Sequence, residues 1–139
     1  MDGRPGVRDF PLAETAPDHV RGPRGKTLDD LTPDAVAEGS VTIQDLRITP
    51  EALRAQASIA MDAGRRSLAE NFERAAELVG VPQDLIMATY DMLRPGRARS
   101  GQALRDQAGM FRRVYGAERI ASFLENAAEH YRRRGLLKD

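Results

Sequence analysis

The chain contains no cysteine and no tryptophan, and aromatic residues make up only 5% of it. Without cysteine there are no disulfides, no thiolate nucleophile and no cysteine-ligated metal in this chain. With so few rings, the core has to be built from Leu, Ala, Ile, Val and Met, a set that favours helices. Neither sign of charge is in excess: 21 basic side chains balance 21 acidic ones, for a formal net charge of zero. Phosphate binding needs a basic surplus or a basic face, so this balance speaks against nucleic acid as a partner. It speaks equally against an anionic membrane surface. It also leaves little self-repulsion to keep chains apart, so association is expected. No apolar run approaches the length of a transmembrane helix. The polar stretch from Met1 to Arg8 has no hydrophobic signal core, and the sequence reads as cytosolic.

What is present is unevenly spread. Pro5, Pro11, Pro17, Pro23 and Pro33 crowd the front of the chain, whereas Pro50, Pro82 and Pro95 stand where helices should start or stop. With Gly3, Gly6, Gly22 and Gly25, they exclude one continuous helix or strand there. Phe10, Leu12, Val20, Leu28, Leu31 and Val36 recur along the same stretch. Widely spaced apolar anchors on an extended chain suit an arm laid across another protein; the alternative is an arm folded back on its own helices. Short helical signals interrupt this arm. Thr27-Leu28-Asp29-Asp30 reads as a capped turn. Thr32-Pro33-Asp34 sets a cap, a first-turn proline and an acid in order, with Gly39 to end the helix. Val41 to Ile48 fits either a short strand or a single turn.

From Thr49 onward the pattern is helical. Thr49-Pro50-Glu51 is a strong start signal, and the first long helix is expected from about Pro50 to Ala63. Leu53, Ala57 and Ala60 form one stripe, with Ile59 pointing elsewhere. Ser67-Leu68-Ala69-Glu70 reads as a capping box opening a second helix, with Leu68, Phe72, Ala75, Ala76 and Val79 inward. Pro82 opens a third helix, with Leu85, Ile86, Thr89 and Leu93 inward, closed by Arg94-Pro95-Gly96. Ser100 caps a fourth, with Leu104, Ala108, Phe111 and Val114 on one face, and Gly116 breaks it. The last helix carries Ile120, Phe123, Leu124, Ala127 and Tyr131. Short connections make sequential helices neighbours. The expected fold is all-α: a compact bundle of about five helices, residues 49–139, behind an irregular, extended arm, residues 1–48.

Reactive groups do not converge anywhere in this pattern. His19 and His130 are the only histidines, and Asn126 and Ala127 occupy the positions one helical turn before His130. Asp29 and Asp30 are adjacent and diverge, so they read as helix-start charges. Gly22-Pro23-Arg24-Gly25-Lys26-Thr27 faintly resembles a phosphate loop, with the wrong spacing and a proline where an amide is needed. The serines have no glycine elbow and no paired histidine. Arg65-Arg66, Arg112-Arg113 and Arg132-Arg133-Arg134 lie near acids or helix ends and read as salt-bridged faces. The helix, Gly80-Val81 turn and helix that follows has only a superficial likeness to a DNA-reading motif, because Leu85-Ile86-Met87 puts apolar bulk where base readers belong.

Longer stretches carry a resemblance. Asp9-Phe10-Pro11-Leu12-Ala13, then Lys26-Thr27-Leu28-Asp29-Asp30, then Val41-Thr42-Ile43-Gln44-Asp45-Leu46-Arg47 resemble elements written DYPLA, KTLDD and VTAQDMR. Arg47-Ile48-Thr49-Pro50-Glu51-Ala52-Leu53-Arg54 continues the series, as do Asn71 to Leu78, Val81-Pro82 and Leu93-Arg94-Pro95. In this order they are similar to the small subunit of propanediol and glycerol dehydratases, over nearly the whole chain from Asp9, more weakly after Arg97. The resemblance implies a holoenzyme with large, medium and small subunits, two of each. Adenosylcobalamin is bound by the other subunits, and the enzyme turns a 1,2-diol into an aldehyde and water by radical rearrangement. The small subunit packs on the large barrel subunit. It is expected to supply no catalytic, cofactor-binding or metal-binding residue and to be inactive alone. Some relatives carry a longer N-terminal extension before DYPLA, associated with packaging in microcompartments. With only Met1 to Arg8 before Asp9, a free cytoplasmic enzyme is the expectation. Arg97 to Gly101 departs from the family pattern.

A partner face should expose apolar residues on the arm and cations at helix ends. The candidates are Phe10, Leu12, Leu28, Leu46 and Ile48, with Arg47 and Arg94 as charged anchors. Two other readings compete. A stand-alone helical adaptor or regulator predicts a stable monomer or homodimer with a disordered arm. A small enzyme using His130 predicts activity in the isolated chain.

Overall fold

The structure is a computed structural model that describes residues 3–138. Met1 and Asp2, the start of the polar stretch, lie outside the described residues, as does Asp139. The all-α expectation holds: the described residues form seven α-helices and four 3₁₀ turns, with no strand. The chain divides between Val79 and Gly80 into two compact units.

The first unit opens with turns. A 3₁₀ turn at Val7–Asp9 leads to α1 (Leu12–Thr15), and a second 3₁₀ turn follows at Pro17–His19. Arg21 and Thr27 then form an isolated antiparallel bridge around a tight loop, closed by Gly22 N–H donating to the Lys26 carbonyl at 3.0 Å. The capped turn expected at Thr27 is a 3₁₀ turn, Leu28–Asp30: the Asp30 carboxylate accepts from the Thr27 amide and hydroxyl at 2.8 and 3.0 Å. These bonds, amide first, hold the Asp30 carboxyl below its usual pKa. In α2 (Pro33–Ala37) the Thr32 hydroxyl accepts from Ala35 N–H. The ambiguous stretch is a turn rather than a strand, a 3₁₀ helix over Ile43–Leu46.

α3 (Pro50–Asp62) starts as its sequence dictates, with Thr49 Oγ1 accepting from Ala52 N–H at 3.1 Å. It packs against α4 (Arg66–Leu78) around Ala57, Ala60 and Ala69, with Leu68 and Phe72 against them. Ile59 is buried as well, away from that stripe. Small residues at the contact let the two helices approach closely. The expected capping box at Ser67 does not form. α4 begins two residues earlier than that cap implies, at Arg66, because the chain turns back within Ala63 to Arg65 and Arg65 N–H bonds to the Ala60 carbonyl at 2.8 Å. Val79 is exposed rather than inward.

The second unit is built on α6 (Gly101–Tyr115) and α7 (Glu118–Arg133), with α5 (Gln83–Leu93) tied to both. Gln107 donates to Thr89 Oγ1 at 2.7 Å, and the Tyr131 hydroxyl donates to the Leu93 carbonyl. Ser100 caps α6, accepting from Ala103 N–H at 3.0 Å. Gly116 makes the α6–α7 corner in the left-handed region, φ +61°, where a Cβ would be strained. Leu104, Phe111 and Leu124 are the largest fully buried side chains. Two expected core residues are on the surface. Val114 is exposed, and Tyr115 takes the next place on the buried stripe, its ring 6.0 Å from that of Phe111. Phe123 is also exposed, while Ala121 and Ala128 are buried beside Leu124.

Candidate subunit interface

The arm has shape but almost no core. Among described residues 3–48, only Val41 and Asp45 are buried. Backbone hydrogen bonds and caps hold its turns, as local chemistry allows. Several of its apolar side chains have not followed the usual course into an interior. Phe10, Leu28, Leu46 and Ile48 are all exposed, Phe10 by 60% and Leu46 by 59%. Leu12 is half-buried, and Arg47 is exposed. Arg94 belongs to the second unit, where it is exposed and pairs with Asp91 at 3.3 Å.

Two groups of these residues come together. Leu46 and Ile48 flank Arg47 on one short stretch, and Ile43, exposed by 69%, opens the same 3₁₀ turn that Leu46 closes. In a 3₁₀ turn, residues three apart eclipse each other, so Ile43 and Leu46 share one side. Sequence reasoning passed over Ile43, although its three-residue spacing from Leu46 was the available signal. Phe10 and Leu12 instead line an open groove between the arm and the face of α3 that carries Ala52 and Ala55.

The arm is also anchored to its own helices at its start. Val7 N–H donates to Asp62 at 2.8 Å, and the Ser58 hydroxyl donates to the Pro5 carbonyl at 2.6 Å. The front end is thus folded back on α3, while Phe10, Leu28, Val36, Ile43, Leu46 and Ile48 stay exposed.

His19, Asp9 and Glu51 line the same groove as Phe10 and Leu12. His19 ends an exposed 3₁₀ turn, and His130 is exposed in the last turn of α7. Among the described residues, no three histidine, aspartate or glutamate side chains group as metal ligands. No helix among them is long and apolar enough to cross a membrane. Each arginine cluster contributes at least one salt bridge. Arg112 binds Glu118 at 2.7 Å and Glu125 at 2.8 Å. Arg132 and Arg133 share Glu129, at 2.8 and 3.0 Å, and Arg66 reaches Glu70. Arg112 holds the Glu118 carboxyl below the usual range, and Arg132, with Arg133, lowers that of Glu129 to about 2. These shifts belong to surface ion pairs, not to acids poised for proton transfer.

The family of dehydratase small subunits matches residues 6–138. The chain belongs to the dehydratase small-subunit family. The propanediol dehydratase small subunit of Salmonella typhimurium (strain LT2) is 49% identical over 132 residues, which span 95% of this chain and 76% of that one. The propanediol dehydratase small subunit of Citrobacter freundii is 48% identical over the same shares. A dehydratase small subunit is a component of an enzyme complex.

Proposed function

We propose that this chain is the structural small subunit of an adenosylcobalamin-dependent diol or glycerol dehydratase, the cytoplasmic enzyme that converts a 1,2-diol into an aldehyde and water. The observation that carries the proposal is the coreless arm: apolar side chains held in defined turns, yet left in water. Exposed apolar surface of this kind marks an interaction site. On this reading, residues 1–48 act as the docking arm and residues 49–139 as its helical support. Phe10, Leu12, Leu28, Leu46 and Ile48, with Arg47 and Arg94 as charged anchors, meet the large catalytic subunit. The holoenzyme holds large, medium and small subunits, two of each.

When bound, adenosylcobalamin supplies the radical that starts the rearrangement. This chain's two exposed imidazoles and paired carboxylates do not fit a site for it. What the chain's residues do is bind and orient: the arm presents apolar surface, and the helices hold the arm.

The test is co-purification. The tagged chain is expressed with and without the large and medium subunits, and aldehyde formation from 1,2-propanediol with adenosylcobalamin is assayed. The expected result is a stable three-subunit complex whose activity needs all three. A soluble, solitary chain beside two fully active partners would overturn the proposal in favour of a stand-alone adaptor.

A further inference from the structure

The loop that faintly resembles a phosphate binder has a different use. Gly22 packs directly on the 3₁₀ turn over Ile43–Leu46: a Cβ there would lie 2.5 Å from the Asp45 carbonyl oxygen, a backbone atom that has nowhere to go. Arg24, two residues on, reaches the side chain of the same aspartate. Its Nη1 is 3.3 Å from Asp45 Oδ2 and 3.3 Å from Thr42 Oγ1. Asp45 Oδ2 also accepts from Thr42 N–H at 2.8 Å, which closes the turn. The Asp45 side chain is fully buried, while that of Arg24 is half in solvent.

This is a poor arrangement for stability. Asp45 Oδ1 is buried with no hydrogen-bond partner. A buried carboxylate with one oxygen unsatisfied costs free energy, and its attraction to a half-solvated arginine does not offset that cost well. What a half-buried ion pair adds to apolar packing is a choice of one geometry among several, since only one register brings the charges together. The register selected here matters, because the turn that Asp45 closes carries the exposed Ile43 and Leu46 and leads straight into Ile48.

We propose that the Arg24–Asp45 clasp, with Gly22 fitted against it, is the positioning element of the docking surface: it fixes the Arg21–Thr27 loop to the Ile43–Leu46 turn, so that Ile43, Leu46 and Ile48 meet the large dehydratase subunit in one arrangement. The inference rests on the docking reading above and names the residues that preset its geometry. Asp45 and Arg24 are positioning residues; they act through the apolar side chains they hold.

The experiment uses the full chain and the purified large subunit. Affinity is measured for the wild type, Asp45→Ala, Arg24→Ala and the double variant, with thermal melting of each free chain followed by circular dichroism. The clasp predicts that either single change weakens binding about tenfold or more, and that the double variant is no worse than the single ones, because both remove one coupling. Hydrogen exchange of the amides in residues 42–48 should speed up in the same variants, while the melting of the helices hardly moves. Arg24→Ala is the safer variant, since its side chain is half exposed and its loss leaves no cavity. Variants that bind like the wild type, or losses that simply add, would overturn the clasp and leave the docking reading standing. A large drop in melting temperature in Arg24→Ala would also overturn it, by making the pair a structural bond of the free chain. A wild-type chain that fails to bind the large subunit would sink the docking reading, and the clasp's role with it.

Discussion

Leu124 is fully buried. It lies on α7, the helix packed against α6. Cutting it back to alanine removes three carbons of packing from a site that closes only partly. Leu124→Ala is therefore expected to cost about 2–5 kcal/mol of stability, read by urea denaturation of the free chain. A cost below about 1 kcal/mol would mean that the site collapses freely or that Leu124 is not the keystone it looks. Gly22 and Gly116 show two different uses of a missing side chain. Gly116 supplies a left-handed corner, whereas Gly22 supplies room for another backbone. The first was legible as a helix stop. The second was not, since nothing in a run of Gly-Pro-Arg-Gly says which distant carbonyl will sit above it.

At the scale of elements, the α6–α7 pair is edged by charge. Glu118 and Glu129 have folded-state pKa values below the unfolded value of about 4.3, Glu129 at about 2. A carboxylate depressed in this way stabilises the fold above its unfolded pKa and loses that contribution as pH falls through the folded one. Melting temperature should accordingly fall between about pH 5 and pH 2. Arg112→Ala, which removes the ion pairs to Glu118 and Glu125, should melt lower than the wild type at pH 7 and show a shallower fall towards pH 2. A variant whose melting temperature tracks the wild type at every pH would show that the pair contributes nothing. Element boundaries were largely legible, because caps are local chemistry: Thr32, Thr49 and Ser100 each accept from an amide three residues on. The phase of the buried stripes was less so. Val114 and Phe123 were expected inside, and Tyr115, Ala121 and Ala128 hold the more buried positions. A helix has several apolar lines, and which one is buried depends on how the neighbouring helix crosses it.

For the whole molecule, the question is what covers the arm. Phe10→Ala and Leu46→Ala are each expected to weaken assembly with the large subunit by about tenfold or more. Neither should shift the melting of the free chain by more than a degree or two, since both side chains are already in water. If either variant melted early, that residue would belong to an internal core, and the docking face would have to be sought elsewhere. Pull-down of the co-expressed subunits and a melt of the free chain separate the two outcomes.

By itself, the sequence determined the fold class, the family and most helix limits. Those follow from composition, from periodicity and from contacts within a few residues, all of which are written along the chain. Only tertiary structure decided which apolar residues stay outside, that Asp45 is buried against Arg24, and that Gly22 is pressed onto the turn between them. Each of these depends on segments far apart in sequence meeting in space, and no local pattern records where they meet.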